Sequence, residues 1–214
     1  MFIDIEKIIK DNGIDPKGVF HVGAHKGQEL SEYENIGFKT VCMVEANPEI
    51  YGPLKELKSD VCELMFFNYA ISNEYGNSDF HITANFKGGG EMSSSLLELK
   101  RHRILYPDIH KSKTIKVQTI TLDELVTRWN IDARDFNMIN LDIQGAELLA
   151  LEGALNVLKN IDIINTEINK TELYEDCVLR DELIEFLKSQ GFYLHTEDYK
   201  HSPEWGDAIF LKNK

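Results

Sequence analysis

The chain has 214 residues, 43% of them apolar, enough for one well-buried core and short for two. Lysine and arginine number 23 against 36 aspartates and glutamates, a net charge of −13, which argues against a binder of DNA or bulk tRNA because nucleic-acid affinity is built on clustered positive charge. No apolar run approaches the ~18 residues needed to span a bilayer, and the three cysteines, Cys42, Cys62 and Cys177, have neither CxxC nor metal-finger spacing, so a reducing, cytoplasmic compartment is expected.

The N-terminal segment, 1–18, carries acids early and spaces its apolar residues as an amphipathic helix does, unlike a secretion signal. Strands are then predicted at 19–24, 40–46 and 63–71, with helices at 28–36 and 48–58 between them. A second half follows with strand 137–143, helix 146–159, strand 161–168 and helix 179–190. It closes with strands 192–197 and 207–212, joined by a short polar loop and therefore antiparallel. This alternation predicts one α/β domain over 1–214, a doubly wound, mostly parallel seven-stranded sheet with helices on both faces and a closing hairpin.

The first strand breaks into Gly23-Ala24-His25-Lys26-Gly27 and then into a helix, the local form of a nucleotide-cradling turn. The second ends in Glu45, 22 residues beyond Gly23, where a carboxylate can accept from ribose hydroxyls. The middle glycine of a dinucleotide loop is absent, which favours S-adenosylmethionine over a nicotinamide cofactor. Gly23, Ala24, His25 and Gly27 are the expected cofactor loop, Glu45 the ribose acid, and Asn47 and Ala70 neighbours of the adenine slot.

Residues 72–136 do not alternate cleanly. Two strand-like stretches, 78–83 and 114–119, flank a run with three glycines and three serines, expected to be a flexible loop and to act with the rest of the insertion as a substrate lid. Glu91, Ser93, Ser94 and Ser95 are its candidate substrate-binding residues. Asp142 ends the predicted central strand, where an acid is costly without a partner or a task. Glu147 begins the next helix, where it suits the positive dipole end.

Val22-Gly-Ala-His-Lys-Gly27, Val44-Glu-Ala-Asn-Pro48, Ala70-Ile-Ser-Asn73, Thr119-Ile-Thr-Leu-Asp-Glu-Leu125 and Asn140-Leu-Asp-Ile-Gln-Gly-Ala-Glu147 together resemble the FkbM-type methyltransferases. The resemblance runs from about 19 to 212 and implies the class I methyltransferase fold, S-adenosylmethionine as donor, and commonly O-methylation of a sugar, glycan or other small metabolite. Against the family's usual pattern, Asn140 stands for a lysine and Gln144 for a glutamate, and Ala46 precedes Asn47-Pro48.

The mechanism so implied needs an aligned acceptor oxygen and a group to take its proton. Asp142 is the first candidate, and it also borders the cofactor; His25 is the second. Asp142, Glu167 and Asn169 supply oxygen donors of the type that hold Mg²⁺, so metal assistance is a further candidate. A non-catalytic adenosyl-binding module and a nicotinamide-dependent oxidoreductase are the alternatives. Acceptor identity and oligomeric state do not follow from the sequence.

Overall fold

The computed structural model describes residues 3–88 and 90–213; Met1 and Phe2 of the expected opening helix, and Gly89 of the glycine-rich run, lie outside them. Asp4 accepts from the Lys7 amide at 2.9 Å and Gly13, at φ 63°, closes helix α1 (Ile5–Asn12), so an N-cap and a left-handed C-cap delimit the amphipathic segment.

Parallel strands β1 (Gly18–Val22) and β2 (Thr40–Val44) flank helix α2 (Leu30–Ile36), and helix α3 (Pro48–Leu54) follows. The expected strand 63–71 is two: β3 (Glu63–Phe67) pairs with β2, while β4 (Ala70–Ile71) joins a second sheet. Between them the Asn68 amide donates to the carbonyls of Glu45 at 2.7 Å and Ala46 at 3.2 Å, a side chain taking the place of the ladder where the chain turns away.

The insertion contributes β5 (Gly76–Asn85) and β6 (Ile109–Ile120), antiparallel to each other, with a 3₁₀ turn at Glu91–Ser93 and a one-turn helix α4 (His102–Leu105) between them. The serine run is tied down rather than loose. Ser95 exchanges backbone hydrogen bonds with His81, and the Ser94 hydroxyl accepts from the Thr83 amide at 3.1 Å and donates to the Glu91 carbonyl at 2.6 Å. Paired backbone replaces the packed core that glycine and serine cannot provide.

Helix α5 (Leu122–Arg128) was not foreseen; Thr121 caps it by accepting from the Glu124 amide at 2.9 Å. Strand β7 (Met138–Leu141) leads to helix α6 (Glu147–Glu152), which stops well short of the expected 146–159. A Cβ on Gly153 would sit 2.2 Å from the Ser72 carbonyl oxygen, and the Asp123 carboxylate captures the amides of Asn156 and Val157, both at 2.9 Å, starting a separate 3₁₀ turn. Strand β8 (Ile163–Asn169), helix α7 (Arg180–Ser189) and the hairpin of β9 (Phe192–Asp198) and β10 (Trp205–Lys212) complete the chain.

The seven-stranded sheet has the order β3-β2-β1-β7-β8-β10-β9, with β10 alone antiparallel to its neighbours. Side-chain alternation divides its core into two layers. Phe20, Val22, Cys42, Val44 and Ile139 pack with α5, α6 and α7 on one face, and Val19, Val41, Met43, Met138 and Ile163 with α1, α2 and α3 on the other. The three cysteines are free and buried.

Candidate active site at the carboxyl edge of the sheet

Three registered rows cross the sheet on its α2 face. Val19, Met138, Ile163 and Leu211 form an apolar row; two residues on, His21, Asn140 and Asn165 form a polar one; a further two on lies a row of carboxylates. In this last row Asp142 follows β7, Glu167 pairs directly with Asp207, and Asp207 pairs with Asp198 on β9. The Asn140 amide donates to the Tyr33 hydroxyl at 2.6 Å and its oxygen accepts from the Asn165 amide at 2.6 Å, which satisfies much of the middle row. Polarity therefore rises stepwise toward the strand ends, where two clefts open.

The first cleft, about 670 Å³ of open space, runs from Gly23 and His25 past Glu45 and Asn47 to Tyr69 and Ala70, and the insertion closes it with Phe80, Glu91, Met92, Ser94 and Leu96. Glu45 is 7% exposed; its carboxylate accepts from the amides of His25 at 2.9 Å and Asn47 at 2.7 Å, and burial pushes it above the usual carboxylate range while those two bonds pull it back. An anion so held retains lone pairs for a pair of vicinal hydroxyls. Tyr69, Ala70, Ile71, Phe80 and Leu96 make a narrow apolar slot beyond it. Ala24 and Gly27 do not line the cleft. Ala24 belongs to the core layer, and a Cβ on Gly27 would meet Leu57 at 2.5 Å. Gly23, at φ 83°, is pressed against the end of β7, where a Cβ would lie 1.9 Å from the Asp142 carbonyl oxygen.

The second cleft, about 1380 Å³ of open space, lies over the polar and acidic rows. His21, Asn140, Asn165, Asp142, Glu167 and Asp207 form its floor, and Glu29, Ser93, His102, Tyr106, His201 and Trp205 stand around it. Asp142 and Met92 border both clefts. Asp142 is exposed where the two clefts meet, and desolvation by the protein around it raises its carboxyl. The hydrogen bond from the Gln144 amide acts in the opposite direction.

Gln144, at φ 58°, is a clasp: its amide nitrogen donates to Asp142 at 2.7 Å and Glu167 at 3.0 Å, and its oxygen accepts from the Tyr174 hydroxyl at 2.7 Å. Glu167 is raised well above the ordinary range, first by desolvation and then by the charges of Glu147, Asp142 and Asp207. Burial holds the imidazoles of His21 and His102 neutral, with values down to about 4.

The remaining sequence candidates are distributed around these clefts. His25 lies on the cofactor side, its Nδ1 3.0 Å from the Gln28 amide and its Nε2 3.8 Å from Glu91, which also pairs with Lys26 at 3.0 Å. Ser95 borders neither cleft; its hydroxyl donates to the Gln144 carbonyl at 2.8 Å and accepts from the Leu97 amide at 3.0 Å. Asn169 is buried, one pair further up β8, and lines neither cleft. The Mg²⁺ expectation finds no support: Gln144 already engages both Asp142 and Glu167, and among the described residues no group of three or more His, Cys, Asp or Glu side chains is arranged to hold a metal ion.

His21, Asn140 and Asp207 were missed by the sequence reading. Asp207 was legible in principle, as an acid opposite Glu167 once the hairpin register is drawn.

The sheet order, the glycine turn and the acid at the end of β2 define a class I S-adenosylmethionine-dependent methyltransferase. The magnesium protoporphyrin IX methyltransferase ChlM of Synechocystis PCC 6803, solved with bound S-adenosylmethionine, has this fold at TM-score 0.54 and 8% identity, over 98% of this chain and 76% of that one. So does the 1,6-didemethyltoxoflavin-N1-methyltransferase of Burkholderia thailandensis, solved with its acceptor and S-adenosylhomocysteine, at TM-score 0.50 and 12% identity, over 98% of this chain and 76% of that one. Residues 21–194 match the Methyltransferase FkbM domain, and the chain belongs to that family. The 2-O-methyltransferase NoeI of Sinorhizobium fredii is 25% identical over 175 residues, 80% of this chain and 71% of its own length.

Proposed function

We propose that the chain O-methylates a hydroxyl of a sugar, glycan or other small polyhydroxylated metabolite, with the donor in the first cleft and the acceptor in the second. The observation that carries this reading is Asp142, which borders both clefts and so stands where donor and acceptor would meet. The likeness to a 2-O-methyltransferase supports oxygen as the methylated atom.

S-adenosylmethionine supplies a methyl group on an electrophilic sulfonium carbon. Glu45 would anchor the ribose hydroxyls, its two backbone partners leaving outward lone pairs, and the apolar slot at Tyr69 and Ala70 would take the adenine. Gly23 and His25 would line the path between the two. Asp142 would orient the acceptor hydroxyl and take up its proton as the oxygen is methylated, and surroundings that raise its carboxyl make it a stronger base than a free aspartate. His25 borders only the cofactor cleft, which favours Asp142 as the proton acceptor and leaves His25 to position the donor. The insertion contributes walls to both clefts, consistent with residues 72–136 acting as a lid within one methyltransferase domain.

Asp142→Asn should lower turnover by about 10²–10⁴-fold on an acceptor found by screening, while the dissociation constant for S-adenosylmethionine stays within about threefold. Turnover unchanged in this variant would remove Asp142 from the chemistry.

A further inference from the structure

The second cleft is rich in hydrogen-bond acceptors and poor in donors. Four carboxylates, Glu29, Asp142, Glu167 and Asp207, border it, and no lysine or arginine does among the described residues that line it. Its amide and indole donors are already engaged: the Gln144 amide on Asp142 and Glu167, the Asn140 and Asn165 amides on the Tyr33 hydroxyl and on Asn140, and Trp205 Nε1 on the Tyr106 hydroxyl at 2.8 Å. Acids alone do not make a site, but two buried imidazoles border the same cleft. His21 is 2% exposed and His102 5%, and in each the Nδ1 atom has no hydrogen-bond partner. A buried polar atom left unpaired costs about 1–3 kcal/mol, a cost that a ligand donating to either imidazole from the cleft they line would offset.

Charge narrows the ligand further. A phosphorylated or carboxylated acceptor would meet four acidic side chains with no cation to receive it, whereas a neutral polyol would leave the acids Glu167 and Asp207 paired across adjacent strands with nothing to relieve their mutual repulsion. An ammonium group has three donors and the opposite charge.

We infer that the second cleft takes an amino sugar or similar polyol bearing a protonated amine, held by Glu167 and Asp207, with the hydroxyl to be methylated beside Asp142. This rests on the O-methyltransferase reading above. Divalent metal is the competing occupant, and the clasp of Gln144 on two of the four acids is the reason an organic cation is preferred.

The test is calorimetric titration of the full chain, saturated with S-adenosylhomocysteine, with glucosamine, N-acetylglucosamine, glucose and glucose 6-phosphate, and separately with Mg²⁺ alone. Glucosamine should bind about tenfold or more tighter than glucose and N-acetylglucosamine, with no binding of the phosphate ester. Asp207→Asn, and independently Glu167→Gln, should bring the amine preference to within about threefold while S-adenosylhomocysteine binding is retained. Equal affinity for the three uncharged or cationic sugars, failure of all of them to bind, or Mg²⁺ binding that is lost in Asp207→Asn would each overturn the inference. Methyl transfer to neutral sugar hydroxyls without preference for an amine would overturn it while sparing O-methylation; transfer to a non-oxygen atom would overturn O-methylation itself.

Discussion

Gln144 donates to two carboxylates where the family pattern has an acid of its own. With a glutamate there, three carboxylates would crowd against Tyr174; the amide instead holds Asp142 and Glu167 at 2.7 and 3.0 Å without adding charge. The departure from the family pattern at Gln144 is thus a neutral clasp that fixes the orientation of Asp142. The segment Thr121-Leu-Asp-Glu124, one of the stretches that carry the sequence resemblance, has its geometry accounted for by structure: Thr121 caps α5 and Asp123 fastens the turn after α6. A motif can thus identify a family from positions that border neither cleft. Glu45 was legible because an acid at a strand end after a glycine turn has few other uses. Its replacement by alanine should weaken S-adenosylmethionine binding about tenfold to a hundredfold in a calorimetric titration, with the melting temperature little changed.

At the level of elements, hydrophobic periodicity placed the parallel strands and the closing hairpin because buried strands write themselves as apolar runs. Their ends were less legible, since side chains far along the chain set them. Asn68 divides the expected strand 63–71, and the contact of Gly153 with Ser72 ends α6 early. The insertion resisted reading for a related reason: its serines are ordered by hydrogen bonds to His81, Thr83 and Gln144, which no local pattern announces. Gly23 was expected to serve the cofactor's approach, and its geometry adds a second demand, clearance for the end of β7. Gly23→Ala combines φ 83° with a Cβ 1.9 Å from the Asp142 carbonyl oxygen. It should cost about 3 kcal/mol or more in denaturant unfolding, because strained backbone and a displaced strand end add. A loss below about 0.5 kcal/mol would mean the loop can move aside freely.

Across the whole molecule the net charge of −13, read from the sequence only as an exclusion, acquires a location in the carboxylate row. Glu147 sits behind that row with no exposed surface, its carboxyl pushed up to about 7 by desolvation. A raised acid keeps its proton in the folded state longer than in the unfolded one, so its contribution falls as pH rises from about 4.5 toward 7 and is lowest above that. Neutral His21 and His102 act oppositely over about 4 to 6.5, so the sign is best read in a variant. Glu147→Gln should match the parent near pH 4.5 and exceed it by about 3 kcal/mol at pH 8 in chemical denaturation; a difference independent of pH would place the proton elsewhere. One further consequence concerns the insertion. Of the expected 72–136, the part from Leu122 packs into the core layer of the main sheet; the rest leaves the main body at Ala70 and Ile71 and returns at Thr119 and Ile120, which pair with them in parallel, and the Ser72 amide reaches the Ile120 carbonyl at 3.0 Å. Departure and arrival are therefore stapled side by side, so a replacement of different length needs only to span the same short gap. Such a cassette can diverge or be grafted between relatives, changing what is received at the edge of the sheet while the donor side keeps its shape.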